Sequence, residues 1–117
     1  LSGSQEVGIN KLTADTLLLP AQQIVGHEFA VSGILKANYE TSYIEIESDR
    51  GLFKLQITDD KLINKMSRTV PGWVGGSYVY DDPVQIVGIL GELNGQPCVS
   101  DVHSGVLSRE DEGEYEF

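Results

Sequence analysis

One cysteine, two histidines and one tryptophan stand among 117 residues, and each scarcity removes a class of structure. The lone thiol, Cys98, excludes an intrachain disulfide framework and leaves too few sulfur ligands for a zinc ribbon or finger. His27 and His103 lack the i, i+4 partner of an H-E-x-x-H metal helix. Gly72-Trp73-Val74-Gly75-Gly76 lacks both the Lys-Ser/Thr and the preceding strand of a phosphate-binding loop. No apolar run approaches the roughly 18 residues that span a bilayer. Cytoplasmic residence is therefore the default expectation, although Leu1-Ser-Gly-Ser also reads as the remnant of a trimmed segment, a signal peptide included.

Basic residues are the other shortage: 8 Lys and Arg oppose 18 Asp and Glu, a formal net charge of −10. Nucleic-acid binders usually carry a basic footprint, because phosphate neutralisation supplies most of their affinity. The imbalance is uneven. Six of the eight cations (Lys36, Arg50, Lys54, Lys61, Lys65 and Arg68) fall in residues 36–68, matched there by six carboxylates. Beyond residue 68, Arg109 alone faces nine acidic residues. A local basic face is compatible with this distribution; a generally nucleic-acid-seeking surface is not.

What is present is strand alternation. In residues 43–57, Ile44 and Ile46, then Phe53, Leu55 and Ile57, alternate with polar residues on either side of Ser48-Asp49-Arg50-Gly51. Successive strand residues point to opposite faces, so these five share the buried face of a hairpin. Glu45, Glu47, Lys54 and Gln56 share the outer one, where opposite charges meet across strands. Phe29, Val31 and Leu35 mark an earlier strand over 27–37, with Gly33 as a bend. Residues 84–93 read as a fourth strand, Asn94-Gly95 as a type I′ turn, and 97–107 as a fifth strand. Val31, Ile44, Ile46, Phe53, Leu55, Ile57, Ile86 and Val102 form the expected core.

Between the third and fourth strands the period changes. Thr58-Asp59-Asp60 starts a helix over 59–68, with Leu62, Ile63 and Met66 as its apolar stripe and Pro71-Gly72 as its stop. Residues 73–83 then read as a loop long enough for a function. Upstream, Leu12, Leu17, Leu18 and Ile24 suit a short N-terminal helix capped by Thr13 or Asp15 and interrupted by Pro20. Residues 1–8 read as a disordered N-terminus, 9–108 as a single domain, and 109–117 as a disordered acidic tail.

The order strand, strand, strand, helix, strand, strand gives an all-β chain with small α content. Its segments Val31-Ser32-Gly33-Ile34-Leu35, Tyr43-Ile44-Glu45-Ile46 and Val84-Gln85-Ile86-Val87-Gly88-Ile89-Leu90 resemble strands of OB-fold domains of the anticodon-binding type. The resemblance implies a five-stranded Greek-key barrel with a helix between strands three and four. It covers roughly residues 25–107 and carries no functional motif. An SH3-like barrel is the structural competitor, and the mid-chain helix argues against it.

No enzyme constellation emerges, and no cofactor or metal is implied. Cys98 and His103 lie an odd number of residues apart and so face opposite sides of one strand. His27-Glu28 reads as a surface pair, and Asp81-Asp82-Pro83 as a solvated turn more than a divalent-cation site. Two binding classes remain. One is a non-enzymatic module for a protein partner, an inhibitor or immunity-like protein or an assembly subunit. Trp73, Tyr78, Tyr80, Asp81 and Asp82 would anchor that partner, and the acidic surface would favour a basic one. For Trp73, plugging the barrel is the competing role. The alternative class is single-stranded nucleic acid bound across strands two and three. The resemblance implies Lys36, Tyr39, Tyr43, Lys54, Gln56 and Asn94 for that face, with Glu45 and Glu47 opposing an anion.

Overall fold

The hairpin forms in the predicted register. In the computed structural model, which describes residues 10–12, 14–17, 19, 21–49 and 51–117, β3 (Ser42–Ser48) and β4 (Gly51–Ile57) pair antiparallel. Ile44 lies opposite Leu55, Ile46 opposite Phe53 and Glu45 opposite Lys54. The remaining strands are β1 (Asn10–Lys11), β2 (Glu28–Ala37), β5 (Tyr80–Leu93), β6 (Gln96–Arg109) and β7 (Gly113–Glu116). Neighbours run β2-β3-β4-β6-β5, and β5 returns to β2, which closes a five-stranded barrel of the OB-like kind. Among the five barrel strands the parallel β4–β6 pair is a join that a hairpin cannot make, and the chain crosses to it after α3 (Leu62–Met66) and β5.

Gly33 is the bend that permits closure. Strand β2 pairs with β3 along one edge and with β5 along the other. A Cβ at residue 33 would run into the backbone oxygen of Glu45. Only glycine admits so close an approach of the neighbouring chain. At the opposite hairpin, Asn94 (φ 53°) and Gly95 (φ 80°) adopt the two left-handed positions of a type I′ turn and place Leu93 across from Gln96.

Seven of the eight expected core residues are buried; Phe53 is half-buried and packs against the cluster from its edge. Each fully buried Val, Leu or Ile contributes about 1.5–3 kcal/mol against exposure. Leu62, Ile63 and Met66 of α3 join this core as the apolar stripe predicts. The helix is shorter than residues 59–68, because Asp59 turns the chain before it: its Oδ1 accepts from the Lys61 amide at 3.0 Å. Near the N-terminus the single expected helix is two short turns, α1 (Ala14–Leu17) and α2 (Ala21–Ile24). Asp15 falls inside α1 and so is not its cap; Thr13 and residues 1–8 lie outside the described residues.

The acidic tail, expected as disordered, carries strand β7. After a turn at 110–112, β7 pairs antiparallel with the end of β6, and Gly105 and Phe117 exchange backbone hydrogen bonds at 2.9 Å. The cause is alternation beneath the charge: Tyr115 and Phe117 pack against the core cluster while Glu114 and Glu116 face solvent.

Candidate functional site

Strand β5 begins four residues earlier than the apolar run indicates, and this rearranges the aromatic loop. Tyr80, Asp82, Val84 and Ile86 alternate inward, with Asp81, Pro83 and Gln85 outward. Asp81-Asp82-Pro83 is therefore strand rather than solvated turn. Tyr80 is fully buried and donates its hydroxyl to the Val70 carbonyl at 2.8 Å, so it is a core residue and not a surface anchor. The remaining loop, 71–79, is closed at its base by the Trp73 amide donating to the Val79 carbonyl at 2.7 Å and the Val79 amide donating to that of Ala37 at 2.8 Å.

At this end of the barrel Asp82 meets Arg109, the last residue of β6, at 3.2 Å. Both side chains are nearly sealed from solvent, at 7% and 4% exposure. Val84 lies across from Leu107, and two residues on the same inward rows continue as a buried ion pair. The Trp73 indole N–H also donates to Asp82 Oδ2 at 2.8 Å. Its ring stacks on the guanidinium at 4.3 Å, and Tyr115 approaches the same cation at 5.8 Å. Glu112 accepts from Arg109 at 3.5 Å and from the Tyr115 hydroxyl at 2.6 Å. Burial disfavours the Arg109 charge, but hydrogen bonds and charge from Asp82 and then Glu112 outweigh it, and the guanidinium pKa is raised.

Trp73 is accordingly neither a barrel plug nor a free loop residue. It is 48% exposed yet held on two sides, and Val74 beside it is 97% exposed. Trp73 stands over an acidic end built by Asp82 and residues 110–114, with Val74 next to it in the loop. Arg109, Glu112 and Tyr115 belong to this site and escape the sequence reading, which assigns them to a disordered tail. Their signals are a solitary cation after residue 68 and the alternating Glu114-Tyr115-Glu116-Phe117.

The third loop aromatic, Tyr78, joins the other predicted face. Strand registers align Asp81, Lys36, Tyr43 and Gln56 in one row across β5, β2, β3 and β4. The hydroxyls of Tyr43 and Tyr78 share a hydrogen bond at 3.3 Å, with their rings edge-on at 6.3 Å. Lys36 lies 5.5 Å from the Tyr78 ring and Lys54 5.2 Å from that of Tyr43. Lys36 also pairs with Asp81 at 3.4 Å. The hydrogen bond shared with Tyr78 first, then burial and nearby negative charge, push the Tyr43 phenol up to about 12. Tyr39, 80% exposed, rims a neighbouring cleft of about 340 Å³ together with Gln56 and Asp59. Asn94 sits in the β5–β6 turn, where its left-handed backbone is its evident task.

Lys65 is drawn inward instead of facing a ligand. Its ammonium donates to the Val102 carbonyl at 2.6 Å and to Asp59 at 3.3 Å. His103 lies exposed between Glu28 at 2.7 Å and Asp101 at 3.3 Å, while Cys98 is buried. Among the described residues no group of three or more His, Cys, Asp or Glu could hold a metal ion, and no helix is long and apolar enough to cross a membrane. Compared with protein-family models, with curated proteins and with solved structures, the chain finds no match in any of the three.

Proposed function

We propose that this chain is a non-enzymatic binding module that seats a protein partner on Trp73 and Val74, above the acidic end of the barrel. The observation that carries the reading is the half-exposed indole fixed by a buried carboxylate and a stacked guanidinium. An aromatic anchor already held in one orientation loses little entropy on docking. Val74 extends the tip as an apolar residue with no burial of its own to explain it. The net charge of −10 favours a basic partner and accelerates its approach. An inhibitor or immunity-like protein masking a basic target, or an acidic subunit of an assembly, fits this description, and a cytoplasmic location belongs to the same proposal.

The test is capture from native lysate on the immobilised parent and on Val74→Asp, each with and without nuclease. A protein retained by the parent, lost on Val74→Asp and indifferent to nuclease supports the reading. Equal retention on both baits overturns it.

A second reading has its own observation. Lys36 and Lys54 flank the adjoining rings of Tyr78 and Tyr43 on the outer sheet, as a single-stranded nucleic-acid platform of the anticodon-binding kind would need. Glu45, Glu47 and Asp81 share that face and cancel its positive charge, which places this reading second. Nuclease-sensitive capture that survives Val74→Asp would reverse the order.

A further inference from the structure

Under Trp73 the barrel end holds a cavity of about 480 Å³, walled by the start of β5 and the turn between β6 and β7. Asp82 and Arg109 line it, and Glu110, Asp111 and Glu114 stand exposed around it. Its lining residues carry five carboxylates and a single guanidinium, a net −4. Arg109 is already matched by Asp82 and Glu112, so the excess negative charge belongs to the rim.

The lining also holds an unmet donor. Arg109 is 4% exposed in its side chain, and its buried Nε–H has no hydrogen-bond acceptor. A bare buried donor is a standing cost that an incoming oxygen removes. Rim and lining thus ask for opposite things, a cation and an oxygen acceptor. An arginine within a peptide carries both. Its planar guanidinium matches carboxylates in bidentate fashion and stacks on aromatic faces.

We infer that this cavity takes an arginine-bearing peptide segment of the partner. The incoming guanidinium lies among Glu110, Asp111 and Glu114 beside the Trp73 indole. A peptide carbonyl supplies the acceptor for Arg109 Nε–H at the cavity wall, with the Asp82–Arg109–Trp73 contacts kept. The inference rests on the protein-partner reading and names the chemistry of that partner.

The probe is the acetyl-Gly-Arg-Gly-amide tripeptide, titrated into the ¹⁵N-labelled full chain by NMR. The expected result is saturable shifts of the Trp73 indole N–H and of backbone amides at 109–114. A citrulline tripeptide, isosteric and neutral, should bind at least tenfold more weakly, about the effect of losing one charge-assisted contact. Glu110→Gln combined with Glu114→Gln should weaken the arginine peptide about three- to tenfold and leave the rest of the spectrum unchanged. Absent shifts, shifts spread equally to the Glu45 and Glu47 amides, or equal binding of citrulline would each overturn the inference. Capture that depends on Val74 while the tripeptide leaves 109–114 unmoved sinks this inference alone. Saturable tripeptide binding together with equal capture on Val74→Asp sinks the docking reading alone.

Discussion

Trp73 donates its indole N–H to the same carboxylate oxygen of Asp82 that receives Arg109, at 2.8 Å and 3.2 Å respectively. One buried atom thereby ties the 71–79 loop to β5 and to the far end of β6. At its far side the loop packs Val79 against the core cluster, while its exposed Trp73 is held by this polar knot. Stability and binding are therefore coupled at Asp82, and any test of the tip must separate them.

Asp82→Ala should be costly. It leaves the Arg109 charge buried beside Glu112 alone, and breaking a buried pair from one side typically costs about 3–5 kcal/mol. Replacing both partners, Asp82→Leu with Arg109→Leu, removes the charge together with its counter-ion and should cost far less than the two single changes added. Urea melts of the three variants check this. A double variant as unstable as the sum of the singles would show that the pair is not the coupled unit described.

Asp59 gives a pH-dependent prediction. Burial pushes its carboxyl up, but the Val102 and Lys61 amides and then Lys65 hold it below its ordinary value of 3.8. The unfolded chain therefore takes up this proton first as pH falls. The stabilisation is whole above the ordinary carboxylate range and is lost as pH drops through the folded pKa. Asp59→Asn should flatten the acid limb of the stability curve. It should also cost about 1–3 kcal/mol near neutrality, because an amide cannot accept on both sides as the carboxylate does. Melting across pH 2 to pH 7, about the range over which carboxylates titrate, reads both effects.

The barrel was legible because alternation reports burial directly. Ile44, Ile46, Leu55 and Ile57 face inward for the reason that makes them alternate, and Asn94-Gly95 sets its own turn. The barrel end was harder to read. Tyr80 and Asp82 continue the inward row of Val84 and Ile86, but a carboxylate in that row and Pro83 beside it resemble a turn. A buried Asp makes sense only with Arg109, 27 residues away. Local pattern carries no sign of such a partner. Tyr115 and Phe117 were hidden similarly, because five carboxylates in residues 110–117 outweigh two alternating aromatics in any composition-based reading. The Tyr78 contact with Tyr43 spans 35 residues and depends on how the 71–79 loop closes, which no spacing rule anticipates.

That contact predicts an unusual titration. Tyr43 is pushed up to about 12, the Tyr78 hydrogen bond being the first cause. Its folded pKa lies above its unfolded value of 10.0, so its contribution to stability is intact below pH 10.0 and declines as pH rises toward 12. Tyrosinate absorbance followed with pH should show one phenol lagging well behind an ordinary tyrosine. Tyr78→Phe should bring that phenol back toward the ordinary value, and a titration curve unchanged by this substitution would refute the pairing.

Val74 separates anchoring from folding more cleanly than Trp73 does. Trp73→Ala strips a hydrogen bond from Asp82 and a stacked ring from Arg109, so it should destabilise the chain by about 1–3 kcal/mol and confuse any binding result. Val74 is 97% exposed and has no packing to lose, so Val74→Asp should melt within about 0.5 kcal/mol of the parent. If the tip is the anchor, the same change places a charge in a desolvated contact and should raise the partner's dissociation rate at least tenfold, with little change in association rate. Charge removal at the rim, Glu110→Gln with Glu114→Gln, should do the reverse, slowing association and flattening its salt dependence while the dissociation rate moves little. Deleting 110–117 is not equivalent, because it removes β7 and uncovers the β6 edge. Surface-binding kinetics on the captured partner at two salt concentrations measure both rates. Val74→Asp kinetics identical to the parent would exclude the tip as anchor, even if the partner itself proved basic.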